Sequence, residues 1–264
     1  MNRNADPRME YEATLVVCSH RPYALVQGVA KLARIDRLRL EHRGSRSIRD
    51  VYFDTYQETL SKTGHALRVR QLDDVWYVTL KGPAAFREGM VRGRSEIELP
   101  WGAGSLERVN AELEAMAINL VPIRFQADKP VETLLSATFQ VLQDRSTHRI
   151  VRAIVGEESE RTEGEMVIDT VTYRVAGMEV IHHEIEIEAL SEESIGTVEC
   201  FADRLASLFP EALRPWAHSK LETGRAVEAL LKLDPSHIPM DPHGRLLAPA
   251  YGLIADYIER QRSG

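Results

Sequence analysis

The chain has 264 residues, of which 44% are hydrophobic and 28% are charged, and its formal net charge is -7. This composition indicates a globular protein and excludes an intrinsically disordered one. The acidic balance disfavours a nucleic-acid-binding surface, and no apolar run reaches the roughly 20 residues that a membrane-spanning helix needs. With no signal-peptide pattern at its start and only two cysteines, the chain is expected to be cytoplasmic, without a disulfide framework.

The periodicity of apolar residues predicts a series of strands with helices between them. In chain order, the predicted elements are a strand at 9–17, a helix at 21–33, strands at 37–43, 47–54, 66–72, 75–80 and 90–99, helices at 106–119 and 130–137, strands at 145–155, 165–175 and 178–190, and helices at 192–208, 219–231 and 246–261. About eight main strands predict one α+β domain over residues 1–233. Residues 234–264 are expected to form a linker and a C-terminal helical appendage, which could cap the domain or mediate dimerisation.

Acidic residues alternate with apolar ones in three of the predicted strands. Successive side chains of a strand point to opposite faces, so each acidic set shares one face. Same-face neighbours lie roughly 7 Å apart and repel by about 2 kcal/mol per ionised pair, so solvent, basic groups or a cation must offset the repulsion. The sets are Glu184, Glu186 and Glu188; Glu10 and Glu12; and Glu96 and Glu98.

Basic residues follow the same alternation. The basic positions are Arg68 and Arg70, Lys81, Arg92 and Arg94, Arg145 and Arg149, and Lys220 at the start of a late helix. One interpretation is an antiparallel sheet with a solvated face of mixed charge. The other is a closed sheet with a charged interior, covered on its apolar outside by amphipathic helices. Such an interior suits a metal–phosphate complex, since Arg and Lys bind phosphate oxygens and carboxylates hold Mg²⁺ or Mn²⁺.

The order of these motifs resembles the CYTH, or triphosphate tunnel metalloenzyme, superfamily. Glu10-Tyr-Glu12-Ala-Thr14 resembles its N-terminal Glu-x-Glu-x-Lys motif, and Val51-Tyr-Phe-Asp-Thr55 its Tyr-Phe-Asp-Thr element. Further matches, in family order, are Arg68-Val-Arg70, Thr79-Leu-Lys81, Arg94-Ser-Glu96-Ile-Glu98, Arg149, Asp169, Glu184-Ile-Glu186-Ile-Glu188 and His218-Ser-Lys220. Together they span about residues 9 to 225.

The resemblance implies an eight-stranded antiparallel β tunnel that binds a triphosphate and a divalent metal, Mg²⁺ or Mn²⁺. The implied metal ligands are Glu10, Glu12, Glu184, Glu186 and Glu188. The implied phosphate-binding residues are Arg68, Arg70, Lys81, Arg94, Arg149 and Lys220. The carboxylates implied to hold a second metal or orient water are Glu96, Glu98 and Asp169. The implied activity is metal-dependent hydrolysis of inorganic triphosphate, or of a related short-chain or organic triphosphate.

The sequence departs from the family pattern at Thr14, where the family has lysine. A hydroxyl carries no charge, so either activity is reduced or altered or another basic residue takes its place; Arg39, Arg43 and Arg46 are nearby in sequence. Two alternative functions therefore stay open. One is a class IV-type adenylyl cyclase, and the other is a non-catalytic protein that binds triphosphate or polyphosphate.

Two adjacent histidines precede the C-terminal acidic strand. Because neighbouring residues of a strand face opposite sides, only one of His182 and His183 can share the face of Glu184. We expect a buried structural histidine there, with a metal ligand as the alternative.

Overall fold

The structure is a computed structural model that describes residues 8–86, 90–118, 124–137, 139–175, 177–234 and 236–263. Its elements, in chain order, are β1 (Arg8–Val17), α1 (Pro22–Ala30), β2 (Arg34–Ile35), β3 (Leu38–Thr55), α2 (Thr59–Lys62), β4 (Ala66–Leu72), β5 (Val75–Lys81), β6 (Ala85–Phe86), β7 (Arg92–Pro100), α3 (Ala103–Ala115), α4 (Pro130–Leu135), β8 (Phe139–Gly156), β9 (Thr162–Val175), β10 (Met178–Ala189), a short 3-10 helix (Glu192–Ser194), α5 (Ile195–Leu208), β11 (Leu213–Pro215), α6 (Lys220–Leu233) and α7 (Ala248–Ser263).

The strands form a sheet whose order closes on itself. The hydrogen-bonded order is β11-β1-β10-β9-β8-β3-β4-β5-β7-β6, and β1 also pairs with β7. Eight strands, β1, β3, β4, β5, β7, β8, β9 and β10, thus make an antiparallel ring. The predicted α+β class and the predicted number of main strands are confirmed.

Three of the predicted boundaries that differ from the structure concern β3, β8 and α3. The two strands predicted around Gly44 are one continuous strand, β3, because Gly44 adopts a φ of +119° that glycine tolerates without ending the strand. Strand β8 begins at Phe139 rather than at 145, since residues 139–144 pair within the sheet although they lack regular alternation. The helix predicted at 106–119 is α3, displaced toward the N-terminus, and Asn119 lies outside the described residues.

The chain divides into two compact units. The first unit contains the chain up to Glu10 together with Ser47–Ala85 and Gly93–Arg145, and the second contains Tyr11–Arg46, Phe86–Arg92 and the chain from Ser146 onward. The predicted boundary between residues 233 and 234 stays a prediction.

The first unit has its own apolar core. Alternate residues of β3, β4 and β5, such as Val51, Leu67 and Val78, are buried there against Leu106 and Val109 of α3. The amphipathic helix thus covers the apolar side of the strands, as the sequence predicts.

The second unit has two apolar clusters that helices cover. In the first, Ile185 and Ile187 of β10 pack with Val26 of α1 and Phe201 of α5. In the second, residues of α6 and α7, including Tyr251, pack against β9 and β10. Because the first cluster buries Ile185 and Ile187, Glu184 and Glu186 are directed to the opposite face of β10.

Candidate active site

Three carboxylates of the second unit converge on β9 and β10; Asp169, Glu184 and Glu186 are here called the acidic cluster. Asp169 lies directly opposite Glu184 in the register of the two strands. Directly opposite residues project to the same face of an antiparallel pair, and Glu186, two residues further along β10, shares that face. One ligand oxygen of each residue lies within 4.8 Å of the other two, and Asp169 and Glu184 are buried.

Two cations lie among these carboxylates. The Lys220 ammonium is 2.7 Å from a Glu186 oxygen and 3.1 Å from an Asp169 oxygen, and it also contacts Glu184. The Arg149 guanidinium, on β8, donates to both Asp169 oxygens at 2.8 and 2.6 Å and to Glu186 at 3.0 Å. Three formal negative charges therefore face two positive ones, which leaves one net negative charge in the cluster.

The start of α6 fixes the position of Lys220. Ser219 is the N-cap of this helix, and its hydroxyl accepts a hydrogen bond from the Glu222 backbone N–H at 3.3 Å. The Glu222 carboxylate accepts in return from the Ser219 backbone N–H at 2.8 Å. This capping box begins the helix at Lys220, so the lysine is held by the helix terminus.

The opposite charges outweigh the effect of burial on the pKa values in the cluster. Burial alone would raise the pKa of Asp169, but Arg149 and Lys220 outweigh it and lower this pKa below its ordinary value. Burial alone would lower the pKa of Lys220, yet the carboxylates of Glu184, Glu186 and Asp169 outweigh it and raise this pKa. Asp169 is therefore ionised and Lys220 is protonated at neutral pH.

Glu184 is the end of a chain of hydrogen bonds that includes His182 and Tyr251. Nε2 of the buried His182 lies 2.7 Å from a Glu184 oxygen, and its Nδ1 lies 3.1 Å from the Tyr251 hydroxyl on α7. His183 faces the other way and contacts the Thr170 hydroxyl at 3.1 Å. The expectation of one structural histidine beside Glu184 is consistent with this arrangement. Tyr251 is a residue that the sequence did not indicate, because no local pattern connects α7 with β10.

The donors of the acidic cluster fit a hard divalent cation. All three offer carboxylate oxygens, the ligands that Mg²⁺ and Mn²⁺ prefer. Glu184 and Glu186 were predicted as metal ligands, and the structure brings them together with Asp169, which was predicted to hold a second metal or orient water.

Two other predicted ligands, Glu12 on β1 and Glu188 on β10, share one face of the sheet. Glu12 is directly opposite Glu188, and Thr14 is directly opposite Glu186, in the register of β1 and β10. Arg92 donates to the Thr14 hydroxyl at 2.8 Å and to Glu12 at 3.3 Å. The basic residue beside Thr14 is thus Arg92, and not one of the three arginines that are near it in sequence.

In the first unit, Lys81 joins two predicted site carboxylates. Its ammonium lies 2.7 Å from Glu10 and 3.0 Å from Glu96. Burial, together with a hydrogen bond to Glu96, raises the pKa of Glu10 to about 8. Burial would also raise the pKa of Glu96, but the hydrogen bond with Glu10 and the charge of Lys81 outweigh it and lower that pKa. Burial and this hydrogen bond thus favour the protonated form of Glu10 and the ionised form of Glu96.

Arg68 links the remaining predicted carboxylates of this unit. Its guanidinium donates to Glu96 at 3.3 Å and to Glu98 at 3.0 Å. The Thr79 hydroxyl also donates to Glu98, at 3.0 Å. Because Arg68 is buried, these carboxylates and not solvent balance its charge.

Asp50 is a buried residue that no motif in the sequence indicated. It accepts hydrogen bonds from Arg70 at 2.7 and 3.1 Å and from Arg145 at 3.3 Å, and it lies 3.9 Å from Arg68. Burial would raise the pKa of Asp50, but the charges of Arg70 and Arg68 outweigh it and lower this pKa well below its ordinary value. Asp50 and Val51 are adjacent on β3 and face opposite sides of the strand. A polar residue next to an apolar one in this strand was the signal in the sequence for Asp50.

Arg94 contacts the backbone. It was predicted to bind phosphate, and its guanidinium donates to the Gly82 carbonyl at 3.0 Å within the first unit. Phosphate binding by Arg94 stays a prediction.

The described helices include none that is both long and apolar enough to cross a membrane.

Comparisons with known proteins identify relatives of this fold. A family model of the CYTH domain matches residues 24–205, more than half of the chain. A Hippeastrum protein, named as an adenylyl cyclase candidate with a dominant triphosphatase activity, has a TM-score of 0.55 and 18% identity, with 83% of this chain and 96% of that one covered. An adenylate cyclase candidate from Bacillus halodurans has a TM-score of 0.53 and 20% identity, with 83% and 98% covered. No curated protein sequence matches the chain.

Proposed function

The chain belongs to the CYTH domain family, and we propose that it hydrolyses inorganic triphosphate, or a related short-chain or organic triphosphate, with the help of Mg²⁺ or Mn²⁺. The observation that carries this proposal is the convergence of the acidic cluster with Lys220 and Arg149. Carboxylates that can hold a cation and cations that can bind phosphate oxygens share one place. The triphosphatase activity named for the Hippeastrum protein of similar fold supports the same reaction.

The metal would be held by Asp169, Glu184 and Glu186. A bound divalent cation supplies positive charge to the phosphate oxygens and stabilises the charge that develops on them. The chain's own contribution is to fix the ligands. Arg149 donates hydrogen bonds to both oxygens of Asp169, and His182 is hydrogen-bonded to Glu184. The roles predicted for Glu10, Glu12 and Glu188 as further ligands stay predictions.

Lys220 and Arg149 would bind the phosphate groups beside this cluster. Both are permanently charged at neutral pH, and both already lie within 3.1 Å of the carboxylates. In the first unit, Lys81, Arg68 and Arg70 are oriented by carboxylates in the same manner and are proposed as phosphate-binding residues.

In the proposed reaction, water attacks the terminal phosphorus. The bond from that phosphorus to the bridging oxygen breaks, and orthophosphate and the shortened phosphate chain result. The attacking water loses a proton, which a carboxylate can accept. The roles predicted for Glu96 and Glu98 in holding a second metal or orienting water stay predictions; within the first unit, Arg68 donates a hydrogen bond to each of them.

A phosphate-release assay tests the proposal. Inorganic triphosphate, ATP and a short polyphosphate are each incubated with the protein and Mg²⁺ or Mn²⁺ at neutral to alkaline pH. Phosphate release from one of them is expected, and no release from any of them would contradict the hydrolase proposal. Formation of cyclic AMP from ATP would instead identify a cyclase, and binding in calorimetry without turnover a triphosphate-binding protein. Location in the cytoplasm and assembly as a homodimer stay predictions from the sequence.

A further inference from the structure

Arg92, the first residue of β7, has a buried guanidinium that the proposed reaction has not used. Only 7% of Arg92 is exposed. Its Nη1 donates to the Ala217 carbonyl at 3.1 Å, and its Nη2 donates to Thr14 at 2.8 Å and to Glu12 at 3.3 Å. Its Nε is also buried, and it has no hydrogen-bond partner among the described residues.

Strand register places this guanidinium beside the acidic cluster. Thr14, which accepts from Arg92, lies directly opposite Glu186. Glu12, its other side-chain partner, lies directly opposite Glu188. Residues paired in this way share a face of the sheet, so Arg92 is bound to the face that carries the acidic cluster.

The described hydrogen-bond partners of Arg92 leave its Nε–H donor unsatisfied. A buried N–H group without an acceptor is costly, and a guanidinium has five N–H donors arranged in a planar fork. The geometry of this fork matches the oxygens of a phosphate or a carboxylate, which guanidinium groups bind in a bidentate manner. The Ala217 carbonyl belongs to the segment that leads directly into α6, so one short segment fixes Arg92 and begins the helix at Lys220.

We propose that Arg92 is a further substrate-binding residue, whose Nε–H donates to a phosphate oxygen next to the acidic cluster. The identity of the substrate as a triphosphate rests on the proposed function. Thr14 on β1 carries no positive charge. Arg92 supplies that charge from β7, and its guanidinium is hydrogen-bonded to the Thr14 hydroxyl.

The test measures binding and not turnover, so its result is independent of whether the protein is a hydrolase. The probe is a non-hydrolysable imido analogue of inorganic triphosphate, titrated calorimetrically into the protein with Mg²⁺ present. Arg92→Gln is expected to weaken binding at least about tenfold, the order of magnitude of one charge-assisted hydrogen bond. Arg92→Lys is expected to lose less, because it keeps the charge without the fork.

Two further variants separate binding from general charge effects. Arg174→Gln removes the same charge from an exposed residue of β9 that pairs with Glu179, and it is expected to bind the analogue as the wild type does. The double variant Arg92→Gln/Thr14→Lys returns a cation to the same place from β1, and it is expected to recover part of the lost affinity.

Binding of the analogue by Arg92→Gln with wild-type affinity would overturn the proposal, as would a wild-type protein that does not bind the analogue. If Arg92→Gln does not fold, the Nε–H resonance of Arg92 in ¹⁵N-arginine-labelled wild type decides, assigned by its loss in Arg92→Lys. A shift of this resonance on addition of the analogue is expected, and an unchanged resonance would overturn the proposal. Absence of phosphate release alongside normal binding would contradict the proposed function alone.

Discussion

Replacement of Lys220 by methionine tests whether this lysine is the main counter-charge of the acidic cluster. Its ammonium lies 2.7 Å from Glu186 and 3.1 Å from Asp169, and it also contacts Glu184. At an effective dielectric constant of about 20, unit charges about 3–4 Å apart attract by roughly 4–6 kcal/mol. The cost of burying the charges offsets much of this attraction, and removal of one partner of a buried pair typically costs about 3–5 kcal/mol.

The assay is thermal unfolding of Lys220→Met and of the wild type in EDTA and in Mg²⁺. A loss of about 3–5 kcal/mol corresponds to a Tm lower by about 10 °C in a large domain. Because the variant keeps Arg149 but loses Lys220 beside the three carboxylates, Mg²⁺ is expected to raise its Tm more than that of the wild type.

The matched control is Lys232→Met, on the same helix. Lys232 is exposed and pairs with Glu228 on the helix surface, and such pairs contribute at most about 0.5 kcal/mol. If Lys220→Met unfolds in EDTA at the same temperature as Lys232→Met, Lys220 does not balance the buried carboxylates and the reasoning is refuted.

Two further predictions concern buried hydrogen bonds. Asp50→Asn is expected to lower the free energy of unfolding by about 3 kcal/mol at pH 7, because it leaves the buried guanidinium groups around Asp50 without their carboxylate. Since the pKa of Asp50 is lowered in the folded state, its contribution is complete above the unfolded pKa of about 4 and is lost as pH falls below it. Urea unfolding at pH 7 and pH 3 checks this, and an equal difference between variant and wild type at both values would contradict it. Tyr251→Phe removes the hydroxyl that meets His182 and should cost about 1 kcal/mol. It should also raise the Mg²⁺ concentration needed for half-maximal activity, because Glu184 is less firmly held; an unchanged Mg²⁺ requirement would count against this positioning role.

Alternation along the strands made part of the site predictable. Glu184 and Glu186 alternate with Ile185 and Ile187, and the apolar pair enters the core of the second unit. The period of two therefore assigned both carboxylates correctly to one face. It did so without knowledge of the neighbouring strands.

The partners across strands could not be predicted in the same way. Asp169 meets Glu184 because of the register of β9 and β10, and a slip of one residue would have turned Asp169 to the other face. Its contact with Lys220 joins residues far apart in sequence and depends on where α6 begins. The pairing of Arg92 with Thr14 likewise connects β7 with β1, and no local sequence pattern reports such a contact.

The proposed function requires the acidic cluster to hold a divalent cation for triphosphate hydrolysis. The most direct measurement is the rate of phosphate release from inorganic triphosphate as Mg²⁺ is titrated, for the wild type, Glu186→Gln and the control Glu179→Gln. Glu179 is on the same strand but exposed, where it pairs with Arg174. Mg²⁺-dependent release is expected from the wild type and the control, with no release in EDTA and a rate at least about tenfold lower for Glu186→Gln. Equal rates for Glu186→Gln and Glu179→Gln, or release that persists in EDTA, would contradict it.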